Sequence, residues 1–448
     1  MAKSDSDDLT RVGPGTVMGE FMRQYWIPAA MSSELDADGD PMRLVLLGEK
    51  LVAFRDSEGR VGVMDHLCPH RCASLFLGRN EENGLRCVYH GWKFDFQGRC
   101  VDMPSVPSHQ DFKEKVHAKA YRTHEANGLI WVYMGDREPA PVPPHIEASL
   151  LPGEQLEISF IQRECNYLQA LEGDIDTSHF GFLHVGHLDP ADVPEGHPLQ
   201  YTADDRAPQY QVRDTGWGTS YGAFRTIERD GKENIYWRFS NFMFPFWTQT
   251  PQGEFAIHVH ARAWVPMDDT HTMFVSLRWK APNPPASALR SPLKTGEPLG
   301  GARPNSVYLP NTTDWYGRWR LEANEHNDWL IDRDAQKSNR IYSGIDNIFL
   351  QDQAVTESMG GITDHGFEHL GPGDLMIART RRRLLQAARA FRDGKGPVPG
   401  VDDPEVFMQS RSGYFLADPA TDWLEAFEAQ VSTATRPLAS RPSEELES

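Results

Sequence analysis

The sequence has 448 residues, enough for two or three domains that each bury a hydrophobic core. Its 45 lysine and arginine residues face 64 aspartate and glutamate residues, a formal net charge of −19 that argues against non-specific binding to nucleic acid or anionic membranes. The polar start MAKSDSDDLT lacks an apolar signal-peptide core, and apolar runs elsewhere are only a few residues long. We therefore expect a cytoplasmic protein that does not cross a membrane.

Short strands separated by turn residues are predicted in the first part of the chain. The apolar or β-branched runs are 42–54, 61–65, 85–89 and 128–134. A proline-rich stretch at 137–153 is typical of a linker. Residues 1–150 are thus expected to form a small antiparallel β domain with its linker.

A larger domain is predicted beyond the linker, from 151 to 432. Strand-like runs at 235–244, 255–266 and 273–279 precede helical periodicity at 375–394 and 421–431. This order indicates an antiparallel sheet covered by helices, so the overall fold class is α+β. The polar residues 433–448 are expected to form a disordered tail.

Cysteine and histidine recur in two short pairs, Cys68-x-His70 and Cys87-x2-His90. Four such ligands rarely fall into two mirrored spacings by chance. Zinc fingers usually pair Cys with Cys and His with His, whereas a Rieske [2Fe–2S] cluster takes two cysteines on one iron and two histidines on the other. The alternation of Cys and His favours the Rieske arrangement. The odd number of five cysteines also favours ligands or free thiols over a disulfide framework.

A second group of potential ligands lies in LEGDIDTSHFGFLH, residues 171–184. Asp176 and His179 are three residues apart, which places them on one face of a helix, and a break near Gly181 would bring His184 to the same site. Two imidazoles and a carboxylate with open positions are typical of non-haem Fe(II) oxygenases. Spacing alone leaves a solvated helix end as an equal alternative. The pair His258 and His260 is a rival metal site, which we interpret as core or pocket lining.

Both groups resemble one known family. The first motif, with Pro69, Gly91 and Trp92 in these places, resembles the Rieske domain of aromatic-ring-hydroxylating oxygenases. Residues 166–184 resemble the D-x2-H-x4-H motif of the same enzymes, particularly the group typified by phthalate dioxygenase. The similarity extends from about Val12 to about Arg392 and covers both predicted domains. It implies the α-subunit of a Rieske non-haem iron oxygenase.

The resemblance also implies a role for each motif residue. Cys68 and Cys87 would bind one iron of the cluster, and His70 and His90 the other. The mononuclear Fe(II) would be held by two histidines and a distant acid, and one further acid would connect it to the cluster of a neighbouring subunit. These residues are, in order, His179, His184, Asp352 and Asp176. Spacing alone would not choose Asp352 over Asp346 or Asp364, and Cys72 and Cys100 match no ligand position.

The family implies that electrons from NADH arrive through a separate flavin/iron–sulfur reductase and that O2 is activated at the mononuclear iron. Its members are trimers, some stacked as hexamers. We predict oxygenation of an aromatic acid, chiefly cis-dihydroxylation of a phthalate-like or substituted benzoate ring. Monooxygenation or O-demethylation on the same scaffold is the alternative. Two other classes, an electron-transfer-only Rieske protein and a zinc-stabilised binding module, would not need the second group of ligands.

Two arginines are candidates for binding the carboxylate, because the guanidinium group binds a carboxylate through two hydrogen bonds. Strand alternation in IYWRFSNFMFPFW puts Arg238 on one face with Tyr236 and other rings. Arg206 matches a position that phthalate-type members use to hold the acid. Both are predicted to contact substrate.

Overall fold

In a computed structural model, which describes residues 1–280, Lys294 and 306–437, the chain adopts the predicted α+β fold. Among these residues the helices are α1 (Lys3–Thr10), α2 (Val17–Met22), α3 (Tyr167–Ile175), α4 (Pro198–Asp204), α5 (Arg333–Lys337), α6 (Ile348–Glu357), α7 (Leu375–Arg392) and α8 (Trp423–Thr433). Most of the expected tail, residues 438–448, lies outside the described residues. No helix of the described part is long and apolar enough to span a membrane.

Ten strands form the N-terminal part: β1 (Trp26–Met31), β2 (Met42–Leu46), β3 (Glu49–Arg55), β4 (Val61–Asp65), β5 (Arg79–Glu81), β6 (Gly84–Arg86), β7 (Lys93–Phe94), β8 (Cys100–Asp102), β9 (Ala120–Ala126) and β10 (Leu129–Tyr133). One sheet has the order β1-β10-β9-β4-β3-β2, and a smaller sheet has the order β5-β6-β7-β8. The predicted run 42–54 is divided by a turn at Leu47 and Gly48, both with positive φ. The run 85–89 keeps its strand only to Arg86, because Cys87 already belongs to a loop.

The second part contains β11 (Leu156–Arg163), β12 (Gln209–Asp214), β13 (Gly218–Arg229), β14 (Lys232–Met243), β15 (Trp247–Gln249), β16 (His260–Pro266), β17 (Thr272–Trp279) and β18 (Gly413–Ala417). They form one antiparallel sheet of order β11-β17-β16-β15-β14-β13-β12, with β18 paired to β14. The predicted strand 255–266 begins only at His260, because the amides of Ile257 and His258 turn back to the carbonyl of Glu254.

Strand β14 is buried on both faces from Tyr236 onward. Trp237 and Phe239 pack in an aromatic cluster with residues of β18 and α8. Tyr236 and Arg238 point to the opposite face, as the alternation predicts, and line a cavity. The strand therefore carries core on one side and a guanidinium group on the other.

The two parts of the chain share one continuous hydrophobic core. Helices α1 and α2 pack against α7, so the N-terminal segment lies on the larger C-terminal part. The proline-rich linker is also packed: Glu147 is buried and forms an ion pair with Arg411 at 2.8 Å. A separate small core surrounds Cys68 and Cys87.

Candidate metal centres and substrate cavity

The two Cys/His loops have the same backbone hydrogen bonds. The amides of Cys68 and Cys87 donate to the carbonyls five residues later, at Ala73 and Trp92, each at 2.8 Å. The carbonyls of Cys68 and Cys87 in turn accept from the amides four residues later, at Cys72 (2.8 Å) and Gly91 (2.9 Å). Cys72 and Gly91 are therefore equivalent positions, and both have a positive φ. This places the exposed Cys72 at a turn rather than at a ligand position.

The candidate ligand side chains of the two loops lie side by side. Cys68 and Cys87 are buried, and burial together with the neighbouring Cys87 raises the pKa of the Cys68 thiol to about 11. The rings of His70 and His90 lie 4.3 Å apart between centroids and remain partly exposed. One pair of sulfurs faces inward and one pair of imidazoles outward, the donor set of a Rieske cluster. All five cysteines are free.

Three side chains meet at one point in the second part of the chain. The Nε2 atoms of His179 and His184 are 3.1 Å apart, and Oδ1 of Asp352 lies 3.5 Å and 3.1 Å from them, respectively. Ligand atoms about 2.1 Å from one ion at angles of about 90–110° lie about 3.0–3.4 Å apart. The three atoms therefore fit a single metal ion on one side of it. This is the one such group of acids, histidines or cysteines found in the described part of the chain.

Gln351, next to Asp352 on α6, orients His184. Its Oε1 lies 2.7 Å from Nδ1 of His184, and its Nε2 donates to the carbonyl of Ile345 at 2.7 Å. Because the second bond fixes the amide, Oε1 must accept from Nδ1–H. Nε2 of His184 then carries the lone pair that a metal needs. Sequence spacing did not identify Gln351.

Asp176 contacts the other histidine. Its Oδ2 lies 3.3 Å from Nδ1 of His179, and its Oδ1 accepts from the Ser178 amide at 2.7 Å. Burial opposes ionisation, but the hydrogen bonds from His179 and Ser178 outweigh it and lower the pKa of Asp176. Asp176 is thus a carboxylate that fixes the ring of His179.

The helix break lies earlier than expected. Helix α3 ends at Ile175, Asp176 is its C-cap with extended backbone, and His179–Gly181 forms a separate 3₁₀ turn. The prediction that Asp176 and His179 share one helix face, with a break at Gly181, is therefore wrong in detail. The carboxylate and ring meet because Asp176 caps the turn that carries His179.

The other two acids of the segment 171–184 belong to buried ion pairs. Glu172 accepts two hydrogen bonds from Arg381 of α7, at 2.5 Å and 2.6 Å. Asp174 pairs with Arg262 of β16 and also accepts from Thr248. These two ion pairs hold α3 between helix α7 and the sheet of the second part.

A cavity extends from the three ligands toward β14. Its apolar walls include Phe180, Leu199 and Ile348, and Arg238 forms a charged part of the wall. The Arg238 guanidinium lies 4.7 Å above the Phe180 ring, and its buried Nε has no hydrogen-bond partner. Within the described residues, Arg238 has no carboxylate at ion-pair distance, whereas Arg262, the other arginine of the wall, is paired with Asp174.

A second buried cation lies beside Arg238. Arg225 stands on β13 directly opposite Tyr236 and is 2% exposed. Burial and the neighbouring charge of Arg238 lower the pKa of Arg225 to about 10. Its Nε donates to the Asp205 carbonyl at 2.5 Å, but its Nη1 is buried without a partner. Arg225 thus adds a second positive charge behind the part of the wall that Arg238 forms.

Arg206 does not reach this cavity. Its Nη2 donates to the Leu188 carbonyl at 3.3 Å, and its guanidinium lies 5.6 Å from the centre of the Phe182 ring. The structure thus brings Arg238, but not Arg206, to the metal ligands.

The rival histidines behave as interior residues. Burial lowers the pKa of His258 to about 3 and that of His260 well below its usual value. His260 accepts from the Thr250 amide at 2.9 Å through Nε2. Neither histidine belongs to a group of three potential metal ligands in the described residues.

Two family models match the chain. Residues 25–118 match the Rieske [2Fe–2S] domain, and residues 132–443 match the LigXa C-terminal domain-like family. The first match contains both Cys/His loops, and the second contains the three converging ligands.

Curated relatives match over nearly their whole length. The chain is 53% identical to the 3-chlorobenzoate-3,4-dioxygenase oxygenase subunit of Comamonas testosteroni, covering 96% of this chain and 99% of the relative. It is 36% identical to the phthalate 4,5-dioxygenase oxygenase subunit of Pseudomonas putida, and this match covers 93% of this chain and 92% of the relative. Its fold resembles that of NdmA with caffeine, from Pseudomonas putida CBB5, with a TM-score of 0.52 at 17% identity over 91% of this chain and 100% of that one.

We predict that His179→Ala and His184→Ala each remove the mononuclear metal and spare the cluster. Iron should fall from about three to about two atoms per chain, with two acid-labile sulfides and the Rieske visible spectrum unchanged. The matched control is His187→Ala, since His187 is half-buried and lies outside the ligand set. Bleaching of the cluster by either ligand variant would contradict the division into two sites.

We also predict that Gln351→Leu weakens binding of the mononuclear iron by about 10–100-fold, because Nδ1–H of His184 loses its acceptor. Gln351→Glu keeps an acceptor oxygen and should retain more iron. Titration of the apo-site with Fe(II) provides the measurement, with Gln211→Leu on the exposed surface of β12 as control. Equal affinities in the Leu and Glu variants would argue against the orienting role.

Proposed function

Because this chain belongs to the Rieske non-haem iron aromatic dioxygenases as an oxygenase subunit, we propose that it dihydroxylates a substituted benzoate with O2 and electrons from NADH. The observation that supports the substrate class is the position of Arg238, an unpaired guanidinium in the wall of the cavity that reaches the three metal ligands. The chemistry needs two metal sites, and the residues present fit both.

We assign the cluster to Cys68, His70, Cys87 and His90, and the mononuclear Fe(II) to His179, His184 and Asp352. When bound, the cluster supplies single electrons and the mononuclear iron activates O2. The three side chains would hold the metal from one side, and the cavity adjoins them. Gln351 and Asp176 hold the two rings with Nε2 toward the metal.

The walls of the cavity match one aromatic ring with one carboxylate. Phe180, Leu199 and Ile348 offer apolar contact to the ring, and Arg238 offers two parallel hydrogen bonds to the acid. Arg225 lies behind Arg238 and does not line the cavity, so in the described part of the wall only Arg238 offers an unpaired guanidinium for direct contact with a carboxylate. This favours a benzoate over a dicarboxylate such as phthalate. Without the acid, the guanidinium would remain desolvated and unpaired, which is unfavourable.

The proposed reaction adds both oxygen atoms of O2 to adjacent ring carbons. It consumes two electrons and two protons and gives a cis-dihydrodiol. Arg238 fixes the carboxylate, and so determines which ring edge faces the metal ligands. Monooxygenation or O-demethylation of an aromatic acid is the alternative outcome on the same site.

The electrons are proposed to come from a separate flavin/iron–sulfur reductase. We further propose a homotrimer, or two stacked trimers, in which Asp176 links the mononuclear site to the cluster of the neighbouring subunit. The carboxylate is suited to this, because it is ionised, 20% exposed at its side chain, and already in contact with His179. Light scattering on the purified protein measures the oligomeric state.

A substrate panel tests the function as a whole. Reconstituted protein, with a reductase and NADH, is given benzoate, 3-chlorobenzoate, phthalate, 3-methoxybenzoate and benzamide, and NADH use is compared with product formed. We expect cis-diols from the benzoates, and little turnover of phthalate or benzamide. Formaldehyde from the methoxy compound without a diol would favour O-demethylation, and cluster reduction without any product would favour electron transfer alone.

We predict that Asp176→Asn keeps both metals but nearly abolishes turnover. The side-chain oxygen of the introduced Asn can still accept a hydrogen bond from the backbone N–H of Ser178, so the turn is retained. The variant, however, lacks the negative charge next to His179. If Asp176 were only a surface acid, its loss would cost less than about 1 kcal/mol of stability and leave activity normal. Stopped-flow oxidation of the reduced cluster with substrate bound distinguishes the two. Unchanged reoxidation would contradict the linking role.

We predict that Arg238→Gln raises KM for the benzoate substrate by about 30- to 1000-fold, equivalent to roughly 2–4 kcal/mol of lost carboxylate binding. Both metal centres should stay loaded. Arg206→Gln is the matched control and should be close to the parent enzyme, because Arg206 lies outside the cavity. A large effect of Arg206→Gln with a small effect of Arg238→Gln would reverse the assignment.

A further inference from the structure

A second cavity adjoins the one that reaches the metal ligands. It lies among α4, β18 and α8, and shares Pro198, Tyr236 and Tyr414 with the inner cavity. The same three side chains therefore separate the two spaces. We call the second space the outer chamber and these three residues the neck.

The neck is built chiefly from the rings of Tyr236 on β14 and Tyr414 on β18. The Tyr236 and Tyr414 centroids are 6.1 Å apart, and Tyr201 of α4 lies 5.0 Å from Tyr236. The buried hydroxyl of Tyr236 has no hydrogen-bond partner. Tyr236 is also two residues from Arg238 on the same face of β14, so the neck leads directly to the unpaired guanidinium.

The outer chamber opens to solvent, and Tyr201, Phe255 and Phe415 add aromatic side chains to its wall beyond those of the neck. Arg229 and Glu254 on its wall are exposed, whereas Phe255 and Phe415 are buried. This wall carries one charge of each sign, and these two charges together do not repel an anion. Aromatic walls suit a flat ring, and the unpartnered Tyr236 hydroxyl suits a carboxylate oxygen on its way inward.

We propose that the outer chamber is the entrance by which an aromatic acid reaches the metal site, and that Pro198, Tyr236 and Tyr414 form the constriction it must pass. The identity of the ligand rests on the proposed function, but the route rests on the two adjoining cavities. A ring enters between α4 and α8, passes the tyrosines, and meets Arg238 with its carboxylate.

The test narrows the outer chamber without touching the inner cavity. Gln430→Trp on α8 and Ala256→Trp each place an indole in the outer chamber, at positions that do not line the inner one. Ala429→Trp, next to Gln430 on the exposed side of α8, is the matched control. We call the two tryptophan substitutions the plug variants. Because they lie at separate places in the chain, the experiment still works if one of them does not fold.

Single-turnover experiments on the reduced holoenzyme provide the readout, with 3-chlorobenzoate either preloaded or mixed together with O2. We expect product to form about tenfold more slowly in both plug variants when the acid must enter during the reaction, and at the parent rate when it is preloaded. The delay should be larger for 3,5-dichlorobenzoate than for benzoate. Equal slowing in both protocols would show that the indoles act on the metal site and not on entry, and would overturn the proposal, as would equal rates in the plug and control variants.

Failure of the proposed function would be visible separately, because the parent enzyme would then turn over none of these acids. In that case, the readout is the rate at which 1,10-phenanthroline, a flat aromatic chelator, removes the mononuclear iron. The chelator is used at concentrations where this rate rises with its concentration. Slower removal from both plug variants than from Ala429→Trp supports the route. Identical removal rates contradict it.

Discussion

Helix α3 must be held in one position for the rest of the site to form. Two acids on it form buried ion pairs in different directions, Glu172 with Arg381 of α7 and Asp174 with Arg262 of the sheet. Breaking a buried pair by removing one partner typically costs about 3–5 kcal/mol, because the other charge is left unpaired. The 3₁₀ turn that carries His179 begins only four residues after the end of this helix. Both ion pairs thus fix where His179, the first of the three candidate metal ligands, lies, and Arg262 also forms part of the wall of the adjoining cavity.

The features that could be predicted from the sequence are the local ones. The Cys/His loops depend on spacings of a few residues within single turns, and alternation along β14 sets the direction of Arg238. The fold class followed from the order of strand and helix periodicities. Asp176, His179 and His184 lie near one another as predicted, although α3 ends before Asp176 rather than at Gly181.

Other features depend on contacts between distant parts of the chain, which spacing does not encode. Asp352 and Gln351 reach the site on α6 because that helix packs against α3, and only family resemblance singled out Asp352. Arg206 follows α4 in a loop, where no periodicity fixes the direction of a side chain, and it turns to Leu188 instead of the cavity. The structural roles of Glu172 and Asp174 were hidden for the same reason, since their arginine partners lie on remote elements.

The charge of the chain and the charge of its proposed substrate have the same sign, so long-range attraction cannot bring them together. With a Debye length of about 8 Å at physiological ionic strength, repulsion from the distant acids is largely screened. Binding then depends on the groups within a few ångströms of the carboxylate. There the wall has Arg238, with Arg225 behind it, in a buried environment where charges interact more strongly than in water. A local pair of cations in an acidic protein can therefore select an anionic ring without attracting polyanions to the surface.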